Sequence, residues 1–232
     1  MHAEERERLL ARRLLEGEAA VRASPEPEQQ RGADKGQKLL YATPWPASGL
    51  WAKKPIVQRD DIRGLAIRVY DVTGVDVLRA VGAAPENLSF ADTMPRLKDG
   101  SIAAVLSSGD GGAGRRLWDY LPHFTEVTYA VPLSFTTVNL ETWSRLSAEL
   151  QRAVSEAATS TEERQWRIVR TRLEENYSRM RANGVTITTT ISPELRQALT
   201  EAGCNAVEAW QTSVGAAGQE IFARFRPMTG RP

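Results

Sequence analysis

Apolar positions change period along the chain, and the changes mark out its elements. Leu65, Ile67 and Val69 alternate with Arg68 and Tyr70, the period-two pattern of a strand, so a strand is predicted over 65–70. Gly64 marks a tight turn just before it. From Asp71 to Ala80 the spacing shifts to that of a helix, with Val72, Val75, Leu78 and Val81 giving it an apolar side. Further strands are predicted over 38–42, 86–90 and 102–107, with a short helix closed by Gly100 before the last. Two β-rich runs, 126–130 and 134–138, follow, broken by Pro132. A long helix comes next. Ser147 is placed to cap it, Trp166, Val169, Leu173, Tyr177 and Met180 recur at spacings of three and four, and Asn183-Gly184 ends it. The β-branched run 185–191 reads as a strand. Ser192-Pro193-Glu194 opens a helix, with serine as cap, proline at the first position and glutamate at the positive end. A further helix is predicted near 206–224, carrying Trp210, Ile221 and Phe222. At the other end, Leu9, Leu10, Leu14 and Leu15 make a narrow apolar stripe on a charged helix over 3–20. Residues 22–38 are rich in proline, glycine and polar side chains and read as linker. Strands alternating with short helices over 39–108 indicate an α/β layer.

Composition narrows the function classes. The 232 residues are 41% hydrophobic and 25% charged, ordinary values that allow one large or two small domains. A formal net charge of +1 gives no bulk attraction to nucleic acid or to an anionic membrane. The single cysteine, Cys204, leaves no internal disulfide and no cysteine metal cluster. With only His2 and His123 as imidazoles, a histidine-based metal site or catalytic triad lacks material. No run has the apolar length of a membrane span. The first twenty residues are acidic from the start and lack the apolar core of a secretory signal.

Few residues then remain as carriers of chemistry. Arg68 rises from a strand beside Tyr70, and a guanidinium so placed suits bidentate capture of a carboxylate; the bland alternative is a surface arginine on an exposed strand face. Tyr70 could donate its hydroxyl or simply belong to an amphipathic strand. Ser107 and Ser108 end a strand, the edge where open α/β sheets hold ligands, although serines there also cap helices. Trp45 and Trp118 are equally readable as cleft walls or core. Residues 109–116, Gly-Asp-Gly-Gly-Ala-Gly-Arg-Arg, spell the frame of a phosphate-binding loop after a strand. Arginines stand where that loop needs lysine and a hydroxyl, so a flexible glycine loop is the better reading. The acidic residues between 149 and 175 sit among arginines and read as a solvated face. No G-x-S-x-G, H-E-x-x-H or C-x-x-C occurs.

Several short motifs fall in a recognisable order. Asp61-Ile62-Arg63-Gly64-Leu65 followed by Ile67-Arg68-Val69 resembles the D-L-K-G-L-K-x-R signature of the periplasmic solute-binding subunits of TRAP transporters. Before it, Tyr41-Ala42-Thr43-Pro44-Trp45-Pro46, Gly49-Leu50-Trp51 and Lys53-Lys54-Pro55-Ile56 are similar to the P-W-P-x-x-G-L-Y-x-K-K-P stretch of one branch. After it come counterparts of V-G-A-x-P at Val81 to Pro85 and of L-x-x-G ending at Gly100. M-S-S-G is matched at Leu106 to Gly109, W-E at Trp118-Asp119, and the step into the long helix at Val138-Asn139. The resemblance covers about residues 39–225, and the ordered set is more specific than any member of it.

The resemblance implies a fold of the periplasmic-binding-protein-like type II α/β architecture. Its second lobe would be nearly complete, its first lobe partial, and one long helix would back both. It divides the chain into a charged helix and linker (1–38), a ligand-binding α/β lobe (39–125) and a partial first lobe with the long helix (126–232). It implies a solute-binding component that takes up an organic acid without changing it, not an enzyme, with no cofactor or metal. The membrane subunits of the transporter would be its partners, nucleic acid would not, and its place would be the periplasm. Since this N-terminus lacks a signal, the chain would be cytoplasmic if it starts here. Arg68 would form the salt bridge that orients the carboxylate, with Tyr70, Ser107, Ser108, Trp45 and Trp118 around it. Many relatives carry asparagine near the two serines, and the branch has a tryptophan where this chain has Ala130-Val131. The family also has a longer front part, so this chain reads as an N-terminally truncated relative. From that, strand 134–138 is expected to lack partners, with Val131, Leu133 and Phe135 exposed, and Arg68 is expected to stay wet in a one-sided cleft. The alternatives are a cytoplasmic fragment that binds nothing and a phosphate-handling enzyme built on Gly109 to Gly114.

Overall fold

The computed structural model describes residues 35–216, 218–220 and 223. The helix expected over 3–20 and nearly all of the linker lie outside them, as do Ile221 and Phe222. The described part forms two units, each taken by itself. One holds residues up to Trp45, 131–172 and the chain end from 219; the other holds 46–130 and 173–218.

The second unit is built on a six-stranded mixed sheet. Its strands are β2 (Ser48–Ala52), β3 (Ala66–Val69), β4 (Ala84–Asn87), β5 (Ala104–Ser108), β6 (His123–Thr125) and β8 (Thr186–Thr188), in the order β4-β3-β5-β2-β6-β8. Strands β4, β3 and β5 run parallel, with Arg68 opposite Glu86 on one side and Val105 on the other. Strand β2 is antiparallel to both β5 and β6, and β8 pairs parallel to β6. Short helices flank and connect the parallel strands: α1 (Arg59–Ile62) precedes β3, α2 (Val72–Ala80) and α3 (Phe90–Lys98) join β3 to β4 and β4 to β5, and α4 (Gly109–Gly114) follows β5. The core joins Leu50, Ile62, Ile67, Val69, Leu78 and Leu106 to Ile191 and Leu195 at the start of α7 (Pro193–Val214).

Local chemistry explains the boundaries. Gly64 turns the chain into β3 at φ +67°, and its N–H donates to the Gly82 carbonyl at 2.7 Å. The cap of α7 is Ser192, whose hydroxyl accepts from the Leu195 N–H at 3.1 Å, with Pro193 in the first turn. This helix runs unbroken where two were expected. The strand expected at 86–90 starts two residues earlier and ends at Asn87. Ser89 is instead the cap of α3, and Pro85 is tolerated because β4 is the sheet edge. The run 126–130 is not a strand. Thr128 takes φ +51°, which breaks extension, and the pairing falls on 123–125. The strand expected over 185–191 is confined to Thr186–Thr188.

In the first unit, β1 (Gln37–Pro44) pairs antiparallel with β7 (Leu133–Asn139) in a two-stranded sheet, with Gln37 opposite Asn139 and Pro44 opposite Leu133. The expectation that 134–138 lacks a partner is therefore corrected: β1 satisfies its backbone. Val131 and Leu133 are half-buried, and only Phe135 of the three is exposed, at 49%. Helix α5 (Leu140–Ser144) follows, capped by Asn139, and then α6 (Ala148–Ala182). The first part of α6 belongs to this unit and its end to the other. Glu162 on α6 departs from the solvated-face reading, because its carboxylate accepts from the Ala42 N–H at 2.8 Å.

Candidate functional site

Three helices begin at one edge of the second unit's sheet. Strands β3, β4 and β5 are parallel, so their carboxyl ends share that edge, and each leads into a capped helix. Asp71 caps α2 through the Gly74 N–H, Ser89 caps α3 through the Asp92 N–H, and Ser108 caps α4 through the Gly111 N–H at 3.0 Å. Helix N-termini carry partial positive charge, so this edge favours an anion.

Arg68 sits in the middle of it. Its side chain is not wet: the residue is 5% exposed, which corrects the expectation of a solvated arginine. The guanidinium donates from Nε to the Leu88 carbonyl at 2.8 Å and from Nη1 to the Leu106 carbonyl at 3.4 Å. Its centre lies 4.2 Å from the Phe90 ring centroid and 5.9 Å from that of Tyr70. No carboxylate among the described residues lies within ion-pair distance of it. Burial, then the charge of Arg115, pull its pKa below the ordinary arginine value, while Tyr70 and Asp71 act the other way. A guanidinium stays protonated under such conditions, so the site holds a desolvated cation with donor capacity left over.

The other predicted residues divide. Tyr70 stands beside Arg68, with its hydroxyl 3.1 Å from the Ser48 hydroxyl, and burial pushes its pKa up. Its ring meets Tyr129 edge to face at 6.2 Å, and the Tyr129 hydroxyl donates to Asp71 at 3.2 Å. Burial raises the pKa of Tyr129 strongly as well. Ser107 and Ser108 are both buried at the end of β5. The Ser108 hydroxyl is taken up as the cap, whereas that of Ser107 has no hydrogen bond among the described residues. Trp118 stacks under Arg179, 5.6 Å from its guanidinium, with no ring or hydrogen-bond contact to Arg68 among the described residues. Trp45 belongs to the first unit, where its indole N–H donates to the Ser134 hydroxyl at 2.8 Å.

The glycine-rich run after β5 is helix α4 rather than a phosphate cradle. A Cβ on Gly112 would lie 2.3 Å from the Trp51 ring, and one on Gly111 would lie 2.7 Å from the Ser107 hydroxyl. The glycines let this helix press onto the sheet. Trp51 is fully buried, donates to the Ser108 carbonyl at 3.3 Å and meets Phe124 edge to face at 5.3 Å. Phe90 and Trp51 were not singled out from the sequence as site or supporting residues. An aromatic at the first position of a helix after a capping serine was the available signal for Phe90.

The description of bacterial extracellular solute-binding protein family 7, DctP, matches residues 46–213. The chain belongs to this family. Its ordered motifs pointed to the same group, and the matched span contains every sequence-predicted site residue except Trp45. The chain is similar to DctP7 of Bordetella pertussis, an extracytoplasmic solute receptor binding pyroglutamic acid. Identity is 28% and the TM-score is 0.87, with 94% of this chain and 72% of that one covered. A TRAP solute-binding protein from a marine metagenome, specific for pyroglutamate, aligns at 25% identity with a TM-score of 0.86, covering 94% of this chain and 71% of that one. A solute-binding protein of Roseobacter denitrificans is 26% identical over 144 residues, 59% of this chain. The match spans 42% of that curated relative's length. These likenesses agree with the mixed α/β architecture of the periplasmic-binding-protein type expected from the motifs.

Proposed function

We propose that this family 7 protein captures an organic acid for a TRAP-type transport system, with Arg68 holding the carboxylate. One observation carries the reading: a guanidinium, 5% exposed, sits at the carboxyl ends of three parallel strands with no carboxylate partner among the described residues. A buried cation without a counter-ion is costly, and a ligand carboxylate relieves that cost while using a two-pronged hydrogen bond. Ser107 supplies a spare hydroxyl, and Tyr70 fixes the guanidinium's neighbourhood through Ser48. Two similar receptors are described as binding pyroglutamate, a carboxylate of the required kind. The role is binding without chemistry. Handing the solute to membrane subunits and working outside the cytoplasmic membrane complete the reading. Among the described residues no helix is long and apolar enough to cross a membrane.

Thermal-shift and titration measurements on the full chain with pyroglutamate and a panel of organic acids test it. At least one carboxylate should raise the melting temperature. Arg68→Lys should weaken that ligand at least roughly tenfold while the ligand-free melt stays cooperative, since lysine keeps the charge but loses the fork. A ligand response that persists unchanged in Arg68→Lys would remove Arg68 from the site. A flat response to every acid, with a cooperative melt, would overturn the reading.

A further inference from the structure

Strand β7 has β1 on one side and, among the described residues, no strand on the other. The ladder shows which groups the open side presents. Antiparallel neighbours alternate between pairs that exchange both backbone hydrogen bonds and pairs whose N–H and C=O point away from each other. Ala42 belongs to the second kind, because its N–H turns outward to the Glu162 carboxylate on α6. Phe135 stands opposite Ala42, so its own N–H and C=O point out of the sheet on the far side. By the same alternation Leu133 and Thr137, the next but one on either side, face outward too. These groups have no backbone partner among the described residues. The open edge also lacks what keeps strand edges apart, which is charge, proline or a bulge. From Leu133 to Asn139 the chain reads Leu-Ser-Phe-Thr-Thr-Val-Asn, with no charged residue and no proline. The irregularity of the ladder, between Leu39 and Tyr41, lies in β1. Strand β1 is protected in the ways β7 is not: it carries Lys38 and Pro44, and Glu162 covers its outward N–H at Ala42. At the middle of the bare edge, Phe135 is 49% exposed.

We infer that β7 is an interface between two copies of this chain, pairing antiparallel with itself about a twofold axis at Phe135. An antiparallel strand is its own complement under a twofold, so a second copy fits this edge with no further feature required. Phe135 then faces Phe135 of the other copy, and Leu133 faces Thr137, so each outward N–H meets an outward C=O. The two exposed phenyls become a cross-strand aromatic pair, and no charge on either strand opposes the match. A single strand buries less than a permanent dimer needs, so the association is reversible. Dilution returns β1 and β7 to the two-stranded sheet of one chain. The interface lies in the unit that does not hold Arg68, and the inference is independent of the carboxylate reading.

Sedimentation velocity tests this on the full chain, on its Phe135→Lys and Phe135→Glu variants, and on an equal mixture of the two variants. The unaltered chain should shift from the mass of one copy toward that of two as concentration rises through the micromolar range. Each variant alone should stay single where the unaltered chain pairs, since like charges then stand directly opposite each other. The mixture should pair again, at least roughly tenfold more tightly than either variant alone, because lysine now faces glutamate. Added salt should weaken the mixed pair more than the unaltered one. Recovery in the mixture also excludes misfolding as the cause of the loss. An unaltered chain that stays single at every concentration overturns the inference, and so does pairing that survives in both variants. A mixture that stays single while the unaltered chain pairs removes the twofold at Phe135 and overturns it as well.

Discussion

At the scale of single residues, this fold depends on what small side chains permit. Gly112 is the clearest case. The Trp51 ring occupies the space where its Cβ would stand, with three indole atoms between 2.3 and 2.5 Å of it. Trp51 is fully buried between β5 and β6 and cannot swing away. Gly112→Ala should therefore overpack the core and destabilise the chain by about 1–3 kcal/mol, seen as a lower urea midpoint with unchanged slope. Gly114→Ala is the internal control: nothing lies within 4 Å of its Cβ position, and its midpoint should hold or rise slightly. A Gly112→Ala protein as stable as its parent would mean that α4 does not sit against Trp51. The same contrast shows what sequence could reveal at this scale. Arg68 was legible because a charged residue interrupts an apolar alternation, and Ser108 because serine after a strand has two well-defined uses. Trp51, Phe90 and the purpose of the glycines were not, because an aromatic gives no sign of what presses on it. The glycine run spelled a phosphate loop in letters while serving close packing in space.

At the scale of elements, end chemistry was easier to read than pairing. The caps at Asn139 and Ser192, the glycine turns at Gly64 and Gly184 and the run into α2 all depend on neighbours in sequence. Strand β2 escaped because all five of its residues are buried, which removes the alternation that would announce it. Strand β6 escaped because its three residues are too few to show a period. The edge strand β4 needs help to stay in place, and Glu86 provides it. Its carboxylate takes both terminal nitrogens of Arg96 on α3, at 2.6 and 2.7 Å, tying strand to helix. Those hydrogen bonds hold the Glu86 carboxyl below its usual value of 4.5. A depressed carboxyl stabilises the folded state above its unfolded pKa and stops doing so as pH falls through the lower folded value. Glu86→Gln should thus lower the urea midpoint slightly at pH near 7, the pair being half-exposed, and that difference should shrink as the pH is taken progressively below 4.5. A difference that persists undiminished in acid would mean the carboxylate charge is not what joins β4 to α3.

On the scale of the whole chain, the two units are unequal in how their backbones are held, and exchange kinetics should expose it. In the second unit β2 and β5 are buried along their whole length and lie inside a six-stranded sheet. In the first unit β1 has β7 alone as its sheet partner, and β7 alternates between half-buried and exposed positions along its length. A two-stranded sheet has little stability of its own, and its local opening costs less than the opening of a core strand. Neither arrangement was readable in the sequence, because the chain leaves the second unit and returns to it. Strand β8 joins β6 only after the long helix, and Gln37 finds Asn139 across nearly the whole parallel layer. In hydrogen exchange followed by mass spectrometry, peptides covering 37–44 and 133–139 should lose protection first, together, and roughly a hundredfold faster than peptides covering 48–52 and 104–108. The joint loss matters as much as the rate, since it is the signature of β1 and β7 opening as one pair. If 133–139 exchanged fast while 37–44 stayed protected, β1 would have some other partner, and the ladder between them would be wrong. If both were as slow as the core strands, the first unit would be held by more than its own two-stranded sheet.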